Sequence, residues 1–403
     1  MKKILLLILL FLSCCKIKYV EVVEYKEVEK WIENVSNKVL LTTNEILKHN
    51  ENINKKTNFY DLERNYTKEE IKNLITFYQI PSLPKYDLKE ITQSDVSIIL
   101  ENRNIENIKG KTIEKAIVIK RTNLKSFPTM LHFYPSLKMN NFDALQETEL
   151  TINTPLQILH TSKDNLWVFV VSNTYAGWVL KEDIAYVDEN NWNYFILNDS
   201  FAVITNPFIK EYELDMGVTL PFEKYNNNTY YLTFPIKDKN GYVTRKTIKI
   251  DKKDAYLGYV PYTEKNIYLQ AFRYLNTSYG WGGVDNKVDC SSMIKNIYKT
   301  FGFVFPRNTS EQRSSVGLNI ISLEKMNVNE KRELIRKNPL SLLYMPGHGM
   351  IYLGNIDGID YILHASGTSL KVVETNLENT YNENYLSSIN YMNVMKRKQK
   401  NNI

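Results

Sequence analysis

Lys2-Lys3 and nine unbroken apolar residues, Ile4 to Leu12, open the chain; such a run is too short to cross a bilayer as a helix. Past a charged, β-branched stretch from Lys16 to Glu27, apolar positions fall on a helical period, with Trp31, Ile32, Val35, Val39 and Leu40 on one face. Thr67 and Glu70 read as a capping box ahead of the stripe Ile71, Leu74, Ile75, Tyr78, which Pro81 stops. Ser94 opens a further short helix through Leu100, and the polar stretch His49 to Lys56 reads as a solvated loop. At Ile113 the period becomes that of strands. Ala116–Ile119, Leu156–Leu159, Trp167–Val171 and Ala176–Val179 are predicted, the middle two joined across the turn Ser162–Asn165. Phe201–Ile204, Val218–Phe222, Tyr230–Phe234 and Thr247–Ile250 repeat the scheme, so two consecutive small barrels are expected. From Tyr262 helices return, then a hairpin turning at Asp357-Gly358 between Met350–Leu353 and Tyr361–His364.

Composition narrows the class. With 43% hydrophobic and 24% charged residues, the chain is neither wholly disordered nor a multi-span membrane protein. A net charge of +6 over 403 residues is too mild to argue for nucleic acid. The 28 tyrosines suit cross-strand packing. The three cysteines, Cys14, Cys15 and Cys290, give no disulfide framework if the first two are consumed in processing. Leu12-Ser13-Cys14-Cys15 directly after the apolar run resembles a bacterial lipoprotein signal, with Cys14 or Cys15 carrying the lipid. The protein is then expected to be exported and membrane-anchored, facing the cell wall or periplasm.

Cys290 is left as the reactive candidate. Asp289-Cys290-Ser291-Ser292 starts a helix whose apolar positions are Met293, Ile294, Ile297, Tyr298 and Phe301, with Gly302 at its end. Asp289 is placed to cap it, which puts the sulfur in the first turn, where unpaired N–H groups and the helix dipole favour a thiolate. Ahead of it, Tyr279-Gly280-Trp281-Gly282-Gly283 is a loop that needs its glycines to turn back. Of the five histidines, His348 falls just before one strand of the hairpin and His364 on the return strand, at roughly neighbouring positions, so one can serve as base and the other can orient it. His132 and His160 read as structural, and His49 as solvated. A zinc site from Cys290, His348 and His364 matches no compact ligand spacing, and no metal or organic cofactor is expected.

The last 135 or so residues resemble the NlpC family of papain-like cysteine peptidases, which cut bacterial peptidoglycan stem peptides. The matching motifs are Tyr279–Gly283, Asp289–Ser292, Phe305-Pro306-Arg307-Asn308 followed by Gln312, His348 with Ile351–Gly354, and Leu363-His364-Ala365. The resemblance implies Cys290 as nucleophile, His348 as base and His364 as third polar residue. It implies Tyr279, Asp289, Ser291, Asn308 and Thr309 as substrate contacts, with Asn308 standing where the family has an acid and Ser292 where it commonly has glycine. Thr154-Pro155-Leu156, Asp164–Trp167 and Gly177-Trp178-Val179 resemble bacterial SH3-like modules.

The arrangement thus expected is α+β and multidomain. It comprises a signal peptide (1–14), a tether and helical stabilising domain (15–108), two SH3-like barrels (109–190 and 191–261) and a papain-like peptidase domain (262–396). It resembles γ-D-glutamyl-L-diamino acid endopeptidases, in which the first barrel closes one end of the cleft and admits stem peptides with a free N-terminal L-Ala. Residues between Phe127 and Phe142 are candidates for that closure. The expected partners are muropeptides and, through the lipid, a membrane; nucleic acid is not expected, and the protein should be a monomer. A non-catalytic wall-binding lipoprotein, or an amidase or acyltransferase on the same fold, are the alternatives.

Overall fold

The computed structural model describes residues 28–57, 59–81, 87, 89–136, 141–369, 371–378 and 385–397. Among them three antiparallel sheets dominate. A seven-stranded sheet runs in the order Gln146–Leu150, Thr122–Lys125, Ala176–Leu180, Trp167–Val171, Pro155–Thr161, Lys115–Val118, Ile184–Tyr186. A five-stranded sheet follows, from Val243–Asp251 through Thr229–Lys237, Thr219–Asn226 and Phe201–Ile204 to Ala255–Leu257. The last sheet has six strands, and at its middle lie Leu342–Met345, His348–Ile356 and Ile359–Ser366.

The hairpin turn at Asp357-Gly358 forms where the sequence places it: Ile356 pairs with Ile359 and Ile351 with Leu363. Both turn residues have positive φ, +51° and +85°, as a tight hairpin turn of this kind requires. Against this sheet packs the helix Cys290–Lys299, burying Met293, Ile294, Ile297 and Tyr298.

One N-terminal helix forms with its predicted cap, and another, expected from Ser94, is opened two residues earlier by a cap of the same kind. Thr67 accepts from the Glu70 N–H and Glu70 reaches back, opening Lys68–Phe77; Thr92 and Asp95 do the same for Gln93–Asn102. These helices are spread over separate cores. Ile46 and Ile53 join the core of the C-terminal region, Ile71 and Ile75 pack with Phe169 and Trp178, and Val96 and Ile99 pack with Phe127 and Leu145. Short helices with one apolar stripe bury it on the nearest sheet.

Two local expectations are corrected. His49 to Lys56 is not a solvated loop; it lies in the helix Thr43–Thr57, where His49 and Ile53 are buried and His49 Nε2 lies 2.8 Å from the Val316 carbonyl. The charged positions face water while every third or fourth residue faces inward, a stripe too sparse to stand out from the sequence. Val39 and Leu40 do not continue the first helix; Val39–Leu41 pairs as a strand with Tyr262–Thr263. Cys14, Cys15 and the tether to Glu27 lie outside the described residues.

Candidate active site

The Cys290 helix is capped by Asp289, whose carboxylate accepts the Ser292 N–H at 2.9 Å while the Ser292 hydroxyl bonds the Asp289 N–H at 2.9 Å. This fixes Cys290 at the first helical position, where its own N–H has no intrahelical partner. Cys290 is 8% exposed, and its sulfur lies 4.0 Å from the Gly347 carbonyl. His348, next in the chain, lines the same cleft. His348 Nε2 is 2.8 Å from His364 Nδ1, so Nδ1 is the ring nitrogen of His348 that His364 does not engage. With Nε2–H of His348 donating to His364, Nδ1 carries the lone pair that a base needs. Tyr385 stacks on His348 and meets His364 edge-on.

The local field differs from that expected of a thiolate site. Burial pushes the Cys290 thiol up to about 12, Asp289 adds to the effect, and the Gly349 N–H opposes it. Burial brings His348 down to about 4 and holds His364 well below its ordinary value, with the neighbouring His348 adding to the fall of His364. Desolvation thus works against the helix terminus at the sulfur, and burial favours the neutral form of both the thiol and the imidazole.

Asp289 is itself neutralised. Burial works against its charge, but Arg307 and the Ser292 N–H hold it below the ordinary carboxylate range. Arg307 Nη1 and Nη2 reach its two oxygens at 3.2 and 2.5 Å, and Nη1 also donates to the Ser291 hydroxyl at 2.6 Å. The same guanidinium crosses to the seven-stranded sheet, where Nε donates to Thr148 Oγ1 at 2.6 Å and Nη2 lies 3.8 Å from Glu149. Lys295, on the Cys290 helix, completes the cluster at 3.4 Å from Glu149. The strand Gln146–Leu150 thus lies against the glycine loop. Gly282 and Gly283 have φ of +62° and +79°, and a Cβ on them would sit 2.4 Å from Gln146 Cγ and 2.2 Å from Glu149 Oε2.

The cleft has a volume of about 540 Å³ and is lined by every candidate drawn from the sequence: Cys290, His348, His364, Tyr279, Asp289, Ser291, Asn308 and Thr309. Burial raises the Tyr279 hydroxyl, with Asp289 and Cys290 as further causes. The structure adds a residue missed in the sequence, Glu147, which enters the cleft from the seven-stranded sheet. Its carboxylate accepts the Tyr175 hydroxyl at 2.6 Å, burial raises its pKa against the opposing pull of Tyr175 and Arg307, and no cation lies within ion-pair distance of it among the described residues. The signal lay in Gln146–Leu150, a run of mixed polarity with no clean alternation. Of the Phe127–Phe142 loop, Phe142 reaches the rim, 4.2 Å from Trp281 between ring centres. His132 instead pairs with Asp143 at 2.9 Å, and His160 Nε2 lies 3.1 Å from the Asn104 carbonyl; both are structural. Among the described residues no group of three or more His, Cys, Asp or Glu side chains is gathered to hold a metal ion.

Comparison with known proteins gives this geometry a class. Residues 276–390 match the NlpC/P60 family, and residues 136–180 match the SH3 domain of SH3b1 type. The protein carries an NlpC/P60 domain headed by a cysteine and backed by two histidines, and is a cysteine-type hydrolase. No curated protein matches the chain. Among solved structures, the chain is similar to an NlpC/P60 endopeptidase from Photobacterium damselae subsp. piscicida, at 21% identity and TM-score 0.74, over 91% of this chain and 96% of that one. It is also similar to an NlpC/P60 family protein from Bacillus cereus, at 16% identity and TM-score 0.51, over 70% of this chain and all of that one. At such identities the likeness is one of fold.

Proposed function

We propose that the protein is an endopeptidase that hydrolyses the γ-D-glutamyl–L-diamino acid bond of peptidoglycan stem peptides bearing a free N-terminal L-Ala. The observation that carries the reading is Glu147, a carboxylate with no cation partner among the described residues, projecting from the SH3b unit into the cleft that holds Cys290. A carboxylate so placed suits an ammonium group of the substrate, and the strand that bears it closes the cleft on that side. Asp289, spent on Arg307, shapes that end and contributes less to the charge contact. In the reaction, His348 takes the Cys290 proton as sulfur attacks the γ-glutamyl carbonyl, and the Cys290 N–H faces the oxyanion. His348 then gives the proton to the leaving diamino-acid amine, and water releases the acyl group from the thioester. The helical N-terminal region and a second SH3-like unit at 191–261 frame this machinery. Cys14 or Cys15 is proposed to anchor the exported chain to a membrane, which metabolic lipid labelling tests: the label should vanish when both become Ser.

Mass spectrometry of L-Ala-γ-D-Glu-diaminopimelate incubated with the protein should show L-Ala-γ-D-Glu and free diamino acid. Cleavage at another bond, or an acyl-transfer product, would overturn the reading.

A further inference from the structure

A second cavity, of about 520 Å³, lies where the N-terminal helices, the SH3b unit and the segment after Arg307 meet. That size and an interdomain position are what small-ligand sites have. It adjoins the catalytic cleft: Asn308 lines both, and Tyr175, on the cavity wall, is bonded to Glu147 of the cleft. Phe59, Tyr60, Tyr66, Phe77 and Tyr78 supply its rings. Phe77 is 78% exposed, the most exposed large apolar side chain among the described residues, so an aromatic face is held in water at the rim with nothing in the fold to require it. The Glu311 carboxyl lies on the wall, raised by burial, with one oxygen that has no partner.

What chemistry fits can be argued by elimination. The cation seat on the Tyr66 ring is already taken by Arg64, 3.9 Å from its centre and paired with Glu70 at 2.8 Å, and the unpartnered Glu311 oxygen can accept from a hydroxyl or an amide N–H. An extended peptide is disfavoured, because two backbone carbonyls on the SH3b side are engaged: Asn173 accepts the Tyr60 N–H and Ala176 accepts the Tyr78 hydroxyl. What remains is ring faces, with the side-chain amides of Asn73, Asn173 and Asn308 among them. That is a surface for a flat, uncharged ring that carries hydroxyl and amide groups.

We propose that this cavity is a saccharide subsite that takes an N-acetylated amino sugar of a glycan strand. That the sugar is the wall's own rests on the function proposed above; the cavity's chemistry does not. Because Tyr175 and Glu147 stand between the two cavities, the bound sugar is no part of the peptide that is cut, and the site holds the enzyme against the wall. Calorimetric titration of the full chain with chitotetraose, a neutral N-acetylglucosamine oligomer, tests this. Saturable binding is expected, at least tenfold weaker in Phe77→Ala and in Asn73→Ala, both exposed positions whose loss leaves the fold intact, while tripeptide cleavage stays within twofold. Absence of binding at millimolar sugar, equal binding by both variants, or displacement of the sugar by stem tripeptide would each overturn the proposal. Cleavage is read separately, so either idea can fail without the other.

Discussion

A single sulfur, buried at the head of a helix, sets what the site can do. Cys290→Ala should abolish hydrolysis and keep the fold, because one small buried side chain is exchanged for another; residual turnover above about a thousandth would point to a different nucleophile. Two other buried groups make stability depend on pH in opposite senses. His348 is brought from 6.5 to about 4 by burial, so between those values the unfolded chain binds the proton and stability rises with pH. Glu374 is pushed from 4.5 to about 7 by burial, partly opposed by its bond from Trp31 Nε1 at 3.0 Å, so the folded chain keeps the proton and stability falls as pH rises from 4.5 to 7. Glu374→Gln keeps the acceptor for Trp31 and removes the second effect. Urea titrations at pH 5, 6 and 7 should therefore show a steeper gain in stability with pH in Glu374→Gln and a flatter one in His348→Gln. Parallel curves for all three proteins would sink both assignments.

Elements carry the next lesson. The Cys290 helix begins where its cap dictates, and the cap works beside the sulfur only because its charge is offset. Arg307→Gln leaves Asp289 as a buried unpaired carboxylate, a change that typically costs about 3–5 kcal/mol of stability. Its unopposed charge should make the thiol still harder to ionise. Alkylation of Cys290 by iodoacetamide at pH 8 should slow roughly tenfold or more, with kcat falling further than KM rises; Arg307→Lys, which keeps a charge but loses the fork, should lie between. Unchanged alkylation would confine Arg307 to packing. This coupling also marks the limit of legibility. Cys290, His348 and His364 could be read from the sequence because a capped amphipathic helix and a hairpin with a clear turn are local patterns, and local patterns carry their own register. Glu147, Glu149 and the purpose of Arg307 could not. They lie on Gln146–Leu150 and on a loop more than 150 positions away in the chain, and their meeting is decided by how one unit docks on another. The same holds for His49, whose burial is imposed by Val316 far downstream.

At the scale of the molecule, the SH3b unit is built into the active site. Thr148 and Glu149 grip Arg307, Gln146 Nε2 donates to the Gly282 carbonyl at 3.1 Å, and Arg121, just before the strand Thr122–Lys125 of the same sheet, pairs with Asp215 of the two-stranded hairpin Phe208–Asp215 while reaching the Lys287 carbonyl. A unit held by buried ion pairs on several sides does not swing away to admit a long glycan, so selectivity should reside in the wall it presents. Glu147 is the charged group on that wall. A charge-assisted contact of about 1.5–3 kcal/mol between Glu147 and the L-Ala ammonium corresponds to roughly a tenfold to hundredfold preference. Free stem tripeptide should thus be cut at least tenfold faster than the same peptide amide-linked to N-acetylmuramic acid, which has no ammonium to offer. Glu147→Gln should erase most of that ratio by lowering kcat/KM for the free peptide, while leaving the slow reaction on the linked peptide within about threefold. Iodoacetamide reactivity of Cys290 serves as the control, since Glu147 touches neither the cap nor the histidines and the alkylation rate should not move. A preserved ratio in Glu147→Gln would place end-recognition elsewhere, and equal rates on both substrates in the unmodified enzyme would mean that the SH3b unit closes nothing and serves only to brace Arg307.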